Sequence, residues 1–80
     1  MPDPNEEYET DDIYLAAYFM VCGCLMERRR RMGNKVLFIF TNPAGSIKEL
    51  REAFYSGKAR VNPHQFQQQI VAMKKLCFDG

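Results

Sequence analysis

The eighty residues predict a small α+β domain with the element order α-β-β-α-α, in which an antiparallel hairpin packs with helices. Three observations lead to this class. An apolar segment over residues 13–22 lies between carboxylates and Gly23; two strand-like runs meet at Gly33-Asn34; and two further helical patterns open at Ser46 and Asn62. Such a mixture of one hairpin with three helical segments fits a two-layer arrangement around one core.

Residues 1–10 read as an acidic flexible tail ahead of a domain over 11–80. Pro2, Pro4, Asn5 and the acids offer nothing to bury except Tyr8. An N-cap candidate at 10–12 then opens a helix over 12–22, with carboxylates where the helix dipole favours them. Ile13, Leu15, Ala16, Ala17, Phe19, Met20 and Val21 make it apolar around most of its circumference, so it is expected to be sandwiched or to lie in an oligomer interface. Gly23 is the natural stop.

Residues 24–31 and 35–41 form the predicted hairpin around Gly33-Asn34. With a two-residue loop, Arg31 opposes Val36, Arg30 opposes Leu37, Arg29 opposes Phe38, Arg28 opposes Ile39 and Glu27 opposes Phe40. The second strand is apolar on both faces, which calls for helices on both sides or for another chain. Ser46 and Glu49 form a capping box for a helix whose buried positions are Ile47, Leu50 and Phe54, ended by Gly57. Asn62 caps a last helix with Pro63 at its first position and a buried stripe of Phe66, Ile70, Met73 and Cys77.

Eighty residues lie near the lower limit for a single hydrophobic core, and the 46% apolar content supplies one. The apolar segment around 13–26 is broken by Gly23 and shorter than the roughly 20 residues of a membrane span. The acidic N-terminus lacks the basic region of a signal peptide, and three cysteines make no disulfide framework, so a cytoplasmic location is expected without membrane contact. Cys22, Cys24 and Cys77 read as small buried thiols; the competing zinc reading, with His64 as fourth ligand, lacks paired-knuckle spacing. No nucleophile triad, phosphate loop or HExxH pattern occurs, so neither enzymatic activity, nor a cofactor, nor a small-molecule substrate is expected.

Charge is sorted along the chain. Residues 1–12 hold six carboxylates and no base, while residues 13–80 hold eleven bases against four acids, an excess of seven. Arg28, Arg29, Arg30 and Arg31 concentrate it, and alternation on a strand makes them a two-sided basic ridge. Their forks suit phosphate oxygens bidentately. Three readings stand side by side: a nucleic-acid backbone contact, a charged edge strand that blocks edge-to-edge pairing, and a grip on acidic groups of a partner or of this chain's own leader. Lys35, Lys58 and Arg60 complete the candidate nucleic-acid surface, the last two ahead of a helix N-terminus that carries His64. Tyr14 and Tyr18 are helical neighbours able to stack bases, though rings packed into the core with hydroxyls at the rim explain them as well.

The segments Asp12-Ile13-Tyr14-Leu15-Ala16-Ala17-Tyr18, Gly33-Asn34-Lys35-Val36-Leu37-Phe38-Ile39-Phe40, 50–57 and 61–76 give the chain a resemblance to a family of small bacterial and phage-borne domains of unknown function. The resemblance covers residues 11–78 and implies the same element order in one domain, with no catalytic or binding residue to carry over. The unbroken arginine run strengthens a position that is often basic in the family. Phage and mobile-element company points to nucleic-acid transactions by association. The sequence expectation is therefore a non-catalytic nucleic-acid-binding accessory domain in a larger assembly, with a protein-interaction or oligomerisation module as the alternative.

Overall fold

The computed structural model describes residues 6–78, whose elements are β1 (Tyr8–Thr10), α1 (Ile13–Val21), β2 (Leu25–Met32), β3 (Lys35–Thr41), α2 (Ile47–Tyr55) and α3 (Pro63–Phe78). The α+β class holds, and one strand precedes the predicted order. All pairings are antiparallel and the sheet order is β1-β3-β2, so the hairpin's second strand is central and β2 forms an edge.

Local chemistry sets the boundaries. Asp12 Oδ1 accepts the N–H groups of Tyr14 at 2.9 Å and Leu15 at 3.2 Å, satisfying two of the orphan donors at the start of α1. At the other end Gly23 adopts φ 84°, and the Cys24 N–H reaches the Phe19 carbonyl at 3.0 Å while the Gly23 N–H reaches that of Met20 at 3.2 Å. That pair of bonds is a Schellman stop. Gly33 takes φ 62° with Asn34 at negative φ, the sign pattern of a type II′ turn, whose twist matches the flanking strands. Ser46 Oγ accepts the Glu49 N–H at 3.3 Å, one half of the predicted box, and Asn62 Oδ1 caps α3 through the His64 and Gln65 N–H groups.

From the turn outward, the predicted register holds for four pairs: Arg31 with Val36, Arg30 with Leu37, Arg29 with Phe38 and Arg28 with Ile39. It then shifts. Met26, not Glu27, stands opposite Phe40, and Glu27 is the extra residue of a bulge whose carboxylate accepts the Thr41 hydroxyl at 2.7 Å. Met32 and Lys35 close the two-residue turn, so alternation directs the amides and carbonyls of Arg29 and Arg31 away from β3 toward the open edge.

The flexible tail expected over residues 1–10 does not describe Tyr8–Thr10, which pairs with β3 through Tyr8 with Phe40, Glu9 with Ile39 and Thr10 with Phe38. Residues 1–5 lie outside the described residues. The strand is anchored by Tyr8, whose ring meets Phe19 edge-on at 5.8 Å, and by buried Thr10, whose Oγ1 accepts the Asp12 N–H at 3.0 Å. A three-residue strand leaves no periodic apolar signal, and only its long-range partner stabilises it.

Helix α1 is enclosed by its own chain: Leu15, Ala16, Ala17, Tyr18 and Phe19 are all buried. Phe19 meets Phe40 of the sheet at 5.3 Å, and Tyr18 meets Phe54 of α2, which in turn lies 6.4 Å from Phe66 of α3. Val36, Phe38 and Phe40 face this core, which Ile47 and Met73 complete, with Leu50, Phe54, Phe66, Ile70 and Cys77 packed around it. Among the described residues no helix covers the opposite face of β3. Ile39 is nevertheless only 1% exposed, flanked by Glu9 on β1 and Arg28 on β2. The methylene stems of long charged side chains cover apolar surface while their heads stay in water.

Candidate functional site

Alternation on β2 divides the arginines, and each pair finds a partner inside the fold. On the outer face, Arg28 holds Glu7 with both terminal nitrogens, Nη1 to Oε2 at 2.8 Å and Nη2 to Oε1 at 2.9 Å. Arg30 holds Glu9 side-on, Nη2 to Oε1 at 2.8 Å and Nε to Oε2 at 3.2 Å. Both pairs reach across β3, a span of about 10 Å from strand to strand. Lys35 Nζ meets Asp11 at 3.3 Å and Lys48 Nζ meets Glu6 at 3.6 Å. The leader acids at 7, 9 and 11 share one face of an extended segment, so the charge sorted along the sequence becomes an ionic ladder across the sheet.

The guanidinium hydrogen bonds hold the Glu7 and Glu9 carboxyls below their ordinary range and raise Arg28 and Arg30 in return. The side chains of Arg28 and Arg30 remain 58% and 52% exposed, so water and salt screen these pairs. On the helix side, Arg29 Nη1 donates to the Leu76 carbonyl at 3.2 Å and Arg31 Nη2 donates to that of Cys77 at 3.3 Å. Two cations thus close the negative end of α3, which ties β2 to the last helix.

The candidate residues fall into three groups. Arg28, Arg30 and Lys35 share the outer face, Arg29 and Arg31 lie on the helix side, and Lys58 and Arg60 occupy the connector between α2 and α3. That connector is at the far end of α3 from Leu76, about 20 Å along the helix axis. One flat ligand cannot lie on all seven. The cleft lined by Arg29, Arg30, Arg31 and Val36 encloses about 80 Å³, far below the roughly 300 Å³ from which small-molecule pockets begin.

Two of the sequence readings describe features of this sheet: the arginines of the outer face grip this chain's own leader through Glu7 and Glu9, and β2 is a charged edge strand. The sequence did not single out Glu7, Glu9 and Asp11 individually, although their spacing of two was the available signal.

The remaining candidates separate similarly. Tyr18 is buried, which pushes its phenol up to about 12, while Tyr14 is half exposed. Cys22 is exposed at the end of α1, against the buried-thiol expectation, because it occupies the C-cap position just before Gly23. Burial pushes the Cys24 thiol up to about 11, so it carries no thiolate at neutral pH. Among the described residues no group of three metal-ligating side chains converges, and no helix is long and apolar enough to cross a membrane. A separate cluster joins β1, α1 and α2: Tyr55 donates its hydroxyl to Asp12 Oδ2 at 2.7 Å, and Arg51 lies over the rings of Tyr8 and Tyr55 at 5.9 and 5.1 Å. Asp12 is the main reason the Tyr55 phenol is pushed up to about 12.

No family model, no curated protein and no solved structure matches this chain.

Proposed function

We propose that the chain is a non-catalytic interaction module that takes a protein partner along the open edge of β2. The observation that carries this reading is an edge strand of eight residues, Leu25–Met32, exposed along nearly its whole length and unpaired on its outer side by any strand among the described residues. Unpaired backbone donors and acceptors in a row are a template for strand addition. Leu25 and Met32, both half exposed, supply apolar side chains at its two ends.

The test uses a substitution that blocks the edge without touching the ladder. Because the Arg31 N–H faces outward, Arg31→Pro removes an edge donor and keeps the bonds to β3, while Arg31→Ala controls for the lost charge. Proteins captured by the wild type and by Arg31→Ala but not by Arg31→Pro support the reading; equal capture by all three contradicts it.

A second reading, binding of nucleic-acid backbone through the outer-face group Arg28, Arg30 and Lys35, is favoured by the exposure of the two outer forks and their bidentate grip on carboxylates. Fluorescence anisotropy with single-stranded DNA, duplex DNA and RNA tests it. Affinity that falls steeply with salt, with a slope that flattens when residues 28–31 become Ala, is its signature. Salt-independent or absent binding contradicts it.

A further inference from the structure

We infer that the occupant of the β2 edge is an extended acidic segment of a partner protein, added as a fourth strand with carboxylates on both of its faces. The inference deepens the reading above and rests on it.

Charge complementarity selects this occupant. A second copy of the chain, laid edge to edge through β2, would bring Arg28 to Arg31 of one protomer against the same four residues of the other, and like charges directly opposite are destabilising. A neutral strand would gain backbone bonds and leave the remaining guanidinium donors unused. An acidic strand gains both. Because Arg28 and Arg30 lie on the outer face and Arg29 and Arg31 on the helix side, consecutive acids of an added strand meet bases on either side of the sheet.

The fold already uses this rule once. The acidic strand β1 pairs with one edge of β3, and its carboxylates bridge to the basic strand on the other. The arginines retain capacity for more: a guanidinium has five donors, and Glu7 and Glu9 each engage two on their partners. Leu25 and Met32, seven residues apart, frame the basic stretch, so the complementary segment is a short acidic run with an apolar residue at each end. Nucleic acid shares the attraction to the arginines, and its phosphate oxygens can accept from the outward amides of Arg29 and Arg31, but a phosphate has no donor for the outward carbonyls beside them, whereas an added strand satisfies both. Backbone bonding therefore separates the two classes.

The experiment titrates the full chain against a fluorescein-labelled octapeptide of four central glutamates flanked by threonine and leucine. Two counterparts carry N-methyl groups on alternate amides, one on each set; a third replaces glutamate by lysine, a fourth by glutamine. A labelled single-stranded oligonucleotide runs alongside. The expected result is binding of the acidic peptide, a loss of at least tenfold when the edge-facing amides are methylated, little change when the other set is, and no binding of the lysine peptide. Tighter methylation-sensitive binding of the glutamine or lysine peptide overturns the acidic occupant and leaves the edge reading standing. Binding of the acidic peptide that ignores both methylation patterns overturns strand addition and the edge reading together. The same holds if no peptide binds up to 1 mM, whether or not the oligonucleotide does.

Discussion

Replacing Tyr8 by Ala separates a leader that is part of the fold from one that merely precedes it. The Tyr8 ring packs edge-on against fully buried Phe19 at 5.8 Å and lies under the Arg51 guanidinium at 5.9 Å, while its backbone pairs with Phe40. Truncating a fully buried aromatic costs about 3–5 kcal/mol. Tyr8 is only partly buried, so a loss below that range, about 2 kcal/mol, is expected, of which the edge-on contact supplies about 1 kcal/mol. A domain of this size has about 4–12 kcal/mol in total. The substitution therefore lowers the urea midpoint by about 2 M if the slope is about 1 kcal/mol per M, and the melting temperature by about 10 °C. Equilibrium unfolding followed by circular dichroism reads both. A midpoint within error of the wild type would refute the reasoning, since it would mean that β1 is not part of the cooperative unit.

Further outcomes follow from single residues. Gly33→Ala lowers stability by about 1–2 kcal/mol in the same assay, because a Cβ meets nothing within 4 Å there and only the positive φ of 62° opposes it. Asp12→Ala removes the α1 cap and costs about 1–2 kcal/mol; in a tyrosinate absorbance titration it also returns the Tyr55 phenol from about 12 toward 10.0. In the wild type that phenol's contribution is fully present below pH 10.0 and is lost as pH rises through about 12. The carboxylates act in the opposite sense. Because Glu7 and Glu9 are lowered from 4.5 by their arginines, the ladder's contribution is present above about pH 4.5 and is lost as pH falls through the lowered values. Amide exchange of β1 relative to α1, followed by NMR from pH 6 to pH 3, should accelerate in that window and not above it.

Where a signal was local, the sequence revealed it. Gly23, Ser46 and Asn62 mark helix ends through bonds made within a few residues and act as predicted, while within the candidate window 10–12 the cap is Asp12 and no carboxylate falls in the first turn of α1. The register expected if Gly33-Asn34 is a two-residue loop holds for the adjacent pairs until the bulge at Glu27, which no turn rule anticipates. The strand at Tyr8–Thr10 was missed because its stabilising contacts come from Phe19, Phe38 and Phe40, far along the chain. The candidate site was legible in part. The two-sided arrangement of Arg28 to Arg31 followed from alternation, and the chain's own leader stood among their possible partners. Which face each arginine serves, and that α3 ends beside Arg29 and Arg31, depended on packing. On the doubly apolar strand, Ile39 is flanked by the charged residues Glu9 and Arg28, a use of glutamate and arginine that hydropathy does not register.

The basic strand is held on one side of the sheet only, and the acidic leader is the third strand. Residue-resolved hydrogen exchange at neutral pH should show protected amides at Tyr8 and Thr10, which bond to β3, and at Arg28 and Arg30, with fast exchange at Arg29 and Arg31, whose amides face the open edge. Unprotected amides at Tyr8 and Thr10, or uniform protection from Arg28 to Arg31, would contradict this arrangement.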